Sequence, residues 1–192
     1  MLLDAGVELT YRAALPALPK KPSLPRNVRI TDLDDDGLLK NEEWVSIAEQ
    51  DAKPYILSEG DVLFARTGAT VGKTYTYKKK DGICAFAGYL IRFLPDEERL
   101  NTDFLFYYTH SFNYWRWLKS IYTEGVQPNV NAEQYSRMLL IKPPILEQQK
   151  IASILLNVDN SAQRQQSYRQ LLAVLKKGLM QNLLTGKIRI KV

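Results

Sequence analysis

Two stretches carry residues spaced almost as phosphate-binding and metal-binding loops are. In ARTGATVGKTY, residues 65–75, Gly68, Gly72, Lys73 and Thr74 approach the loop that cradles nucleotide phosphates. That loop needs four residues between its glycines so that a ring of backbone N–H groups closes on the phosphate; here there are three. It must also open a helix, whose N-terminus holds the anion. Lys73 instead leads into TYTYKKKDG, β-prone and then a turn. The stretch reads as a hairpin, presenting Arg66, Thr67, Thr70 and Lys73 at one end and Lys78, Lys79 and Lys80 at the other. The second stretch is Asp32, Asp34, Asp36, Gly37 and Glu43, which match every fixed position of a helix-flanked calcium loop. The flanks argue against it. PSLPRNVRIT upstream has two prolines and a β-branched run, and Lys40 stands where an oxygen ligand is usual. An acidic turn after a strand is the plainer reading, and no metal site is expected.

Nothing in the remaining residues supports an enzyme or a cofactor. His110 is the sole histidine and lies in an aromatic run; Cys84 is the sole cysteine, with no histidine near it in sequence, so no intrachain disulfide forms. A reducing, cytoplasmic setting fits that usage. The carboxylates show no acid–base spacing. GVQPNVN, residues 125–131, is more suggestive. Gln127 and Asn129 carry amides of the kind that pair bidentately with adenine in the major groove. On the residues alone, however, loop chemistry suffices, with Asn131 capping a short helix from Ala132.

Behind these stretches stand the elements that must hold them. The 192 residues are 45% hydrophobic and 24% charged, a composition that folds. No apolar run nears the ~18 residues a membrane span requires, and the N-terminus lacks the basic start and apolar run of a secretory signal. Net charge is +5, with +6 residing from Glu147 onward and −1 in residues 1–146. A mildly basic chain with a basic hairpin is compatible with nucleic acid. Residues 1–27, with Pro16, Pro19, Pro22 and Pro25, read as irregular. Strands are expected at 28–33, 60–66, 73–79, within 83–95 around Gly88, and at 138–144. Residues 103–122 read as one helix capped by Asn101 or Thr102, its aromatics forming core against a sheet.

From Glu147 the character changes. Ile151, Ile154, Val158, Ser161, Gln165, Tyr168, Leu172, Leu175 and Leu179 step by three and four, a seven-residue repeat ending near Gly186. This predicts a helix about 55 Å long whose stripe exceeds what a small domain can cover, hence a seam for a second helix. Ser161 and Gln165 are polar members that cost stability and set register. The expected fold is α+β: a mixed-sheet domain over 1–145 with an atypical start at 1–27, a long coiled-coil-like dimerisation helix over 146–185, and a tail over 186–192.

Taken in order, VRITDLDDDG, EGDVLFARTGATVGKTY, FAGYLIRFLP, FLFYYTHSFNYWRWLKS, GVQPNVNAEQYSRMLLIKPPILEQQKIASIL and LKKGLMQNLLTGKIRI resemble the specificity subunit of type I restriction–modification systems over about residues 28–192. That resemblance implies a non-catalytic chain. It implies a target-recognition domain reading half of a bipartite double-stranded DNA site, and a conserved helix packing antiparallel against a second. It also implies partner methyltransferase subunits that methylate adenine with S-adenosylmethionine and, in some complexes, a restriction subunit. One domain and one helix look like half a subunit, so two copies as an antiparallel homodimer would restore the whole. The start, residues 1–27, departs from the family's usual extra strand and loop. Read with the basic hairpin, the resemblance points to Arg66, Thr67, Thr70, Lys73, Lys78, Lys79, Gln127 and Asn129 for DNA. The seam residues are Ile151, Ile154, Val158, Tyr168, Leu172, Leu175 and Leu179. The competing reading is an assembly paralogue that pairs with methyltransferase or specificity subunits without reading DNA.

Overall fold

The computed structural model describes residues 8–11, 16–121 and 128–190. These divide into two compact units, residues 1–150 and 151–192.

The first unit is built on two sheets. The larger holds β1 (Glu8–Thr10), β7 (Leu90–Leu94), β4 (Val62–Ala65) and β5 (Thr74–Thr76) in that order, every neighbour antiparallel. The smaller orders β3 (Val45–Ser46), β2 (Arg26–Val28) and β6 (Cys84–Phe86), with β2 and β6 parallel. β4 is central and buried on both faces, which explains its unbroken apolar run. Leu63 and Ala65 join Val28, Cys84, Phe86 and Leu90 in one core. Phe64 meets the rings of Phe93 and Tyr135.

The predicted hairpin at 60–79 is present. Leu63 pairs with Tyr75 and Phe64 with Thr74, and residues 68–70 form a single 3-10 turn in the tip. Residues 83–95 divide at Gly88 into two strands that belong to different sheets.

Three segments differ from expectation. Residues 1–27 are not irregular throughout: they supply β1 and most of β2, whose partners lie far along the chain. The alternation at 28–33 does not continue as a strand, because the Arg29 N–H and guanidinium both bind the Asp32 carboxylate and wind 30–32 into a 3-10 turn. Residues 138–144 form no strand. Met138 N–H turns back to Tyr135 O, Leu139 and Ile141 are exposed, and Pro143 and Pro144 have no N–H to pair.

The aromatic helix is also two helices, α2 (Thr102–Thr109) and α3 (Phe112–Ile121), after the short α1 (Glu49–Ala52). Asn101 caps α2 as expected, accepting from Phe104 N–H at 2.9 Å. The break falls where Thr109 donates to Phe106 O and Ser111 Oγ accepts from Tyr114 N–H, side chains competing with the helix backbone. Asn131 caps α4 (Ala132–Ser136) in a reciprocal box with Gln134.

The second unit consists mainly of α5 (Ile145–Leu184), which begins at the end of the first: 40 residues, or about 60 Å. Pro144 precedes it, and Gly186 in the left-handed region follows it. No helix among the described residues is long and apolar enough to cross a membrane.

Candidate nucleic-acid interface

The hairpin tip is fixed by partners that lie far from it in sequence. Arg66 N–H donates to Tyr89 O, and Arg66 O accepts from Val130 N–H at 2.8 Å. Gly68 N–H donates to Pro128 O, and Thr67 and Asn129 form an antiparallel bridge. The basic tip and the amide-bearing loop, separate motifs in sequence, thus share one edge. Asn129 is exposed there, while Val130 beside it is fully buried. Asn131 is committed to its cap, accepting from Gln134 N–H at 2.8 Å.

Two tyrosines hold the tip from beneath. Tyr114 Oη donates to Gly72 O at 2.7 Å and Tyr135 Oη to Ala65 O at 2.8 Å. Both rings are fully buried, and burial pushes both phenols up from their ordinary value, so they remain neutral donors. Gly72 has φ +88°, and a Cβ there would strike Leu118. This glycine lets the tip lie against α3.

The Arg66 guanidinium lies 5.1 Å over the ring of Tyr11, and its Nε is buried without a hydrogen-bond partner. Tyr11 Oη also accepts from Ala132 N–H at the start of α4. Tyr11 therefore joins tip and loop, and sequence reasoning missed it. The residue sits 55 positions before Arg66 in a segment without periodicity, so no local signal marks it.

The other basic residues divide. Lys73 pairs with Asp35 at 2.7 Å, and its ammonium holds that exposed carboxyl below the ordinary value. Lys78, at the opposite end of the hairpin, pairs with Asp103 at 2.8 Å. Lys79 adjoins it with an exposed side chain. Thr70 Oγ1 donates to Thr67 O within the tip. The structure thus brings Arg66, Thr67, Thr70, Lys73 and Asn129 together at the tip and leaves Lys78 and Lys79 at the far end. Gln127 lies outside the described residues.

Two carboxylates of the calcium-like stretch have other partners. Asp32 is bound by Arg29, and Asp34 accepts from Asp36 and Leu38 N–H within its own turn. Cys84 is buried, which pushes its thiol up to about 11. Among the described residues no cluster of His, Cys, Asp and Glu could hold a metal ion.

Along α5, Ile154, Val158, Tyr168, Leu172, Leu175 and Leu179 are all exposed, and Ile151 is half-buried.

Residues 27–172 match the family described as the type I restriction modification DNA specificity domain. Two curated relatives come from Methanocaldococcus jannaschii. The putative type I restriction enzyme MjaX specificity subunit is 28% identical over 142 residues, covering 72% of this chain and 33% of that protein. The type I restriction enzyme MjaVIII specificity subunit is 27% identical over 139 residues, covering 71% and 33%. The chain thus spans about a third of the length of these relatives. Among solved structures, the HsdS subunit from Thermoanaerobacter tengcongensis superposes with a TM-score of 0.58 at 20% identity, covering 90% of this chain and 46% of that one. A chain from a study of assembly and conformational transition of the type I R-M system gives 0.58 at 21%, covering 95% and 50%. The α+β fold with its long C-terminal helix is theirs. The matched family and both relatives are named for specificity, the non-catalytic part of the system, and a match across most of the sequence makes this chain a member of the type I restriction–modification specificity subunit family.

Proposed function

We propose that this chain reads DNA with the hairpin tip and the 128–130 loop, and delivers that choice to methyltransferase subunits in the cytoplasm. The observation that carries the reading is the bridge between Thr67 and Asn129, with Arg66 laid over Tyr11 beside it. It joins a guanidinium and an amide, the two side-chain types that recognise guanine and adenine edges, on one backbone-fixed edge. Thr67 and Thr70 belong to the same tip and suit phosphate or base contacts. Lys79, and Lys73 and Lys78 on release from their carboxylates, would meet phosphates. Gln127 would extend the amide-bearing loop.

The exposed seam of α5 suits a second helix. Two copies packed antiparallel through Ile151, Ile154, Val158, Tyr168, Leu172, Leu175 and Leu179 would carry two tips to a near-palindromic split site. The helix length would set the spacing between its halves. A restriction subunit could join the same assembly.

Selection from randomised duplex, with and without the methyltransferase partner, tests the reading. Enrichment of one split sequence is the expected outcome, and no enrichment under either condition defeats it. The ion pairs of Lys73 and Lys78 favour one competitor, an assembly paralogue that pairs with methyltransferase or specificity subunits without reading DNA. Complex formation without sequence selection would establish that alternative.

A further inference from the structure

The seam of α5 carries its own register. Its members are separated alternately by three and four residues, from Ile151 to Leu179. When two such helices run in opposite directions, the order of the steps reverses. The knobs then stay level only if each residue entering a three-residue step faces one leaving it. Pairing Ile151 with Leu179 fails this, because one helix advances by three while the other advances by four. Pairing Ile151 with Leu175 satisfies it all along the seam, and every other solution is displaced by a whole heptad.

Polarity decides among those solutions. With Ile151 facing Leu175, Ile154 faces Leu172, Val158 faces Tyr168 and Ser161 faces Gln165. The only two polar members of the seam meet each other, twice, around an axis through Gln163. One heptad in one direction places Ser161 against Leu172 and Gln165 against Tyr168. One heptad in the other places Gln165 against Ile154 and Ser161 against Val158. Neither displaced register sets the two polar side chains against each other: one lays the Gln165 amide on Ile154 with no partner for its hydrogen bonds, and the other sets Ser161, whose hydroxyl already donates to Asn157 O, on Leu172 and leaves Gln165 only the single phenol of Tyr168. The outer layers are available: Ile154, Val158, Tyr168, Leu172 and Leu175 are all exposed.

We infer that the partner of this face is a second copy of the chain, locked in one register by reciprocal Ser161–Gln165 contacts about a two-fold axis at Gln163. This rests on the antiparallel pairing proposed above and adds a specific alignment to it. The helix starts at residue 145 would then lie about 54 Å apart along the pair.

Variants of the full chain carrying one added cysteine test it. Ile154→Cys, Leu172→Cys and Leu179→Cys are prepared separately, mixed in pairs and treated with a short thiol-specific cross-linker. Wild type, whose Cys84 is buried, serves as the blank. The expected product joins 154 to 172, with 154–154 and 154–179 products lost. A dominant 154–179 product would overturn the register while keeping the antiparallel pair; a dominant 154–154 product would overturn both. Sedimentation of wild type separates the remaining cases. A dimer without the 154–172 product sinks this inference alone, whereas a monomer sinks the pairing and the register with it. A Ser161→Ala, Gln165→Leu double variant should still dimerise and should gain the 154–179 product. Retention of a single register in that variant would remove the polar pair from its assigned role.

Discussion

Tyr114 and Tyr135 are fully buried, and each phenol donates to a backbone carbonyl of the hairpin tip. The two bonds differ in what they leave behind. Gly72 O receives Tyr114 Oη, so Tyr114→Phe should strand a buried acceptor and cost about 1–3 kcal/mol. Ala65 O also accepts from Gly72 N–H, so Tyr135→Phe should cost less. Urea denaturation of the two variants measures the difference. Asp61 gives a pH prediction. It is 1% exposed, pairs with Arg92 at 2.8 Å, and burial raises its carboxyl above the ordinary 3.8. A folded-state pKa above the unfolded one means that the folded state holds the proton longer. The contribution of Asp61 is therefore fully present below pH 3.8 and is lost as pH rises through the raised value. Asp61→Asn should flatten that part of the stability profile.

At the scale of elements, the glycines of the hairpin separate by their surroundings. Gly72 and Gly82 both lie in the left-handed region, at φ +88° and +77°, but only Gly72 is pressed against a helix. Gly72→Ala should add overpacking against Leu118 and Trp115 to the backbone strain. It should lose about 1–3 kcal/mol more than Gly82→Ala, read as a shift in denaturation midpoint. Features fixed by near neighbours were legible in the sequence: the hairpin at 60–79, the caps at Asn101 and Asn131, and the long helix ended at Gly186. Features fixed by distant partners were not. β1 exists because Leu9 meets Phe93, and β2 because Asn27 meets Ala85; neither leaves a periodicity in residues 1–27. The single expected helix at 103–122 failed at Thr109 and Ser111, whose hydroxyls bind backbone within their own turns. Residues 138–144 have the composition of a strand but form none, and Pro143 and Pro144 offer no N–H to a ladder. The candidate site shows the same division: Arg66, Thr67 and Asn129 were legible by type, Tyr11 only by its place in the fold.

For the whole molecule, the proposed reading of DNA predicts that the two ends of the hairpin behave differently. Lys79→Ala should weaken all duplexes alike and lower the salt slope of binding by about 1, as loss of one phosphate contact does. Arg66→Ala should instead change which sequence is selected, since its guanidinium lies at the tip over Tyr11. Titrations at several salt concentrations, on the selected site and on a scrambled one, read both effects. The tip itself arrives already ordered. Backbone bonds to Tyr89, Pro128 and Val130, and the phenols of Tyr114 and Tyr135, hold residues 65–72 from three sides. Such a loop has little conformational entropy left to surrender when a ligand docks. Its amides at Gly68 and Gly72 should exchange with solvent only when the surrounding core opens, at rates that track global unfolding rather than local fraying. The tip would then meet its ligand as a rigid template.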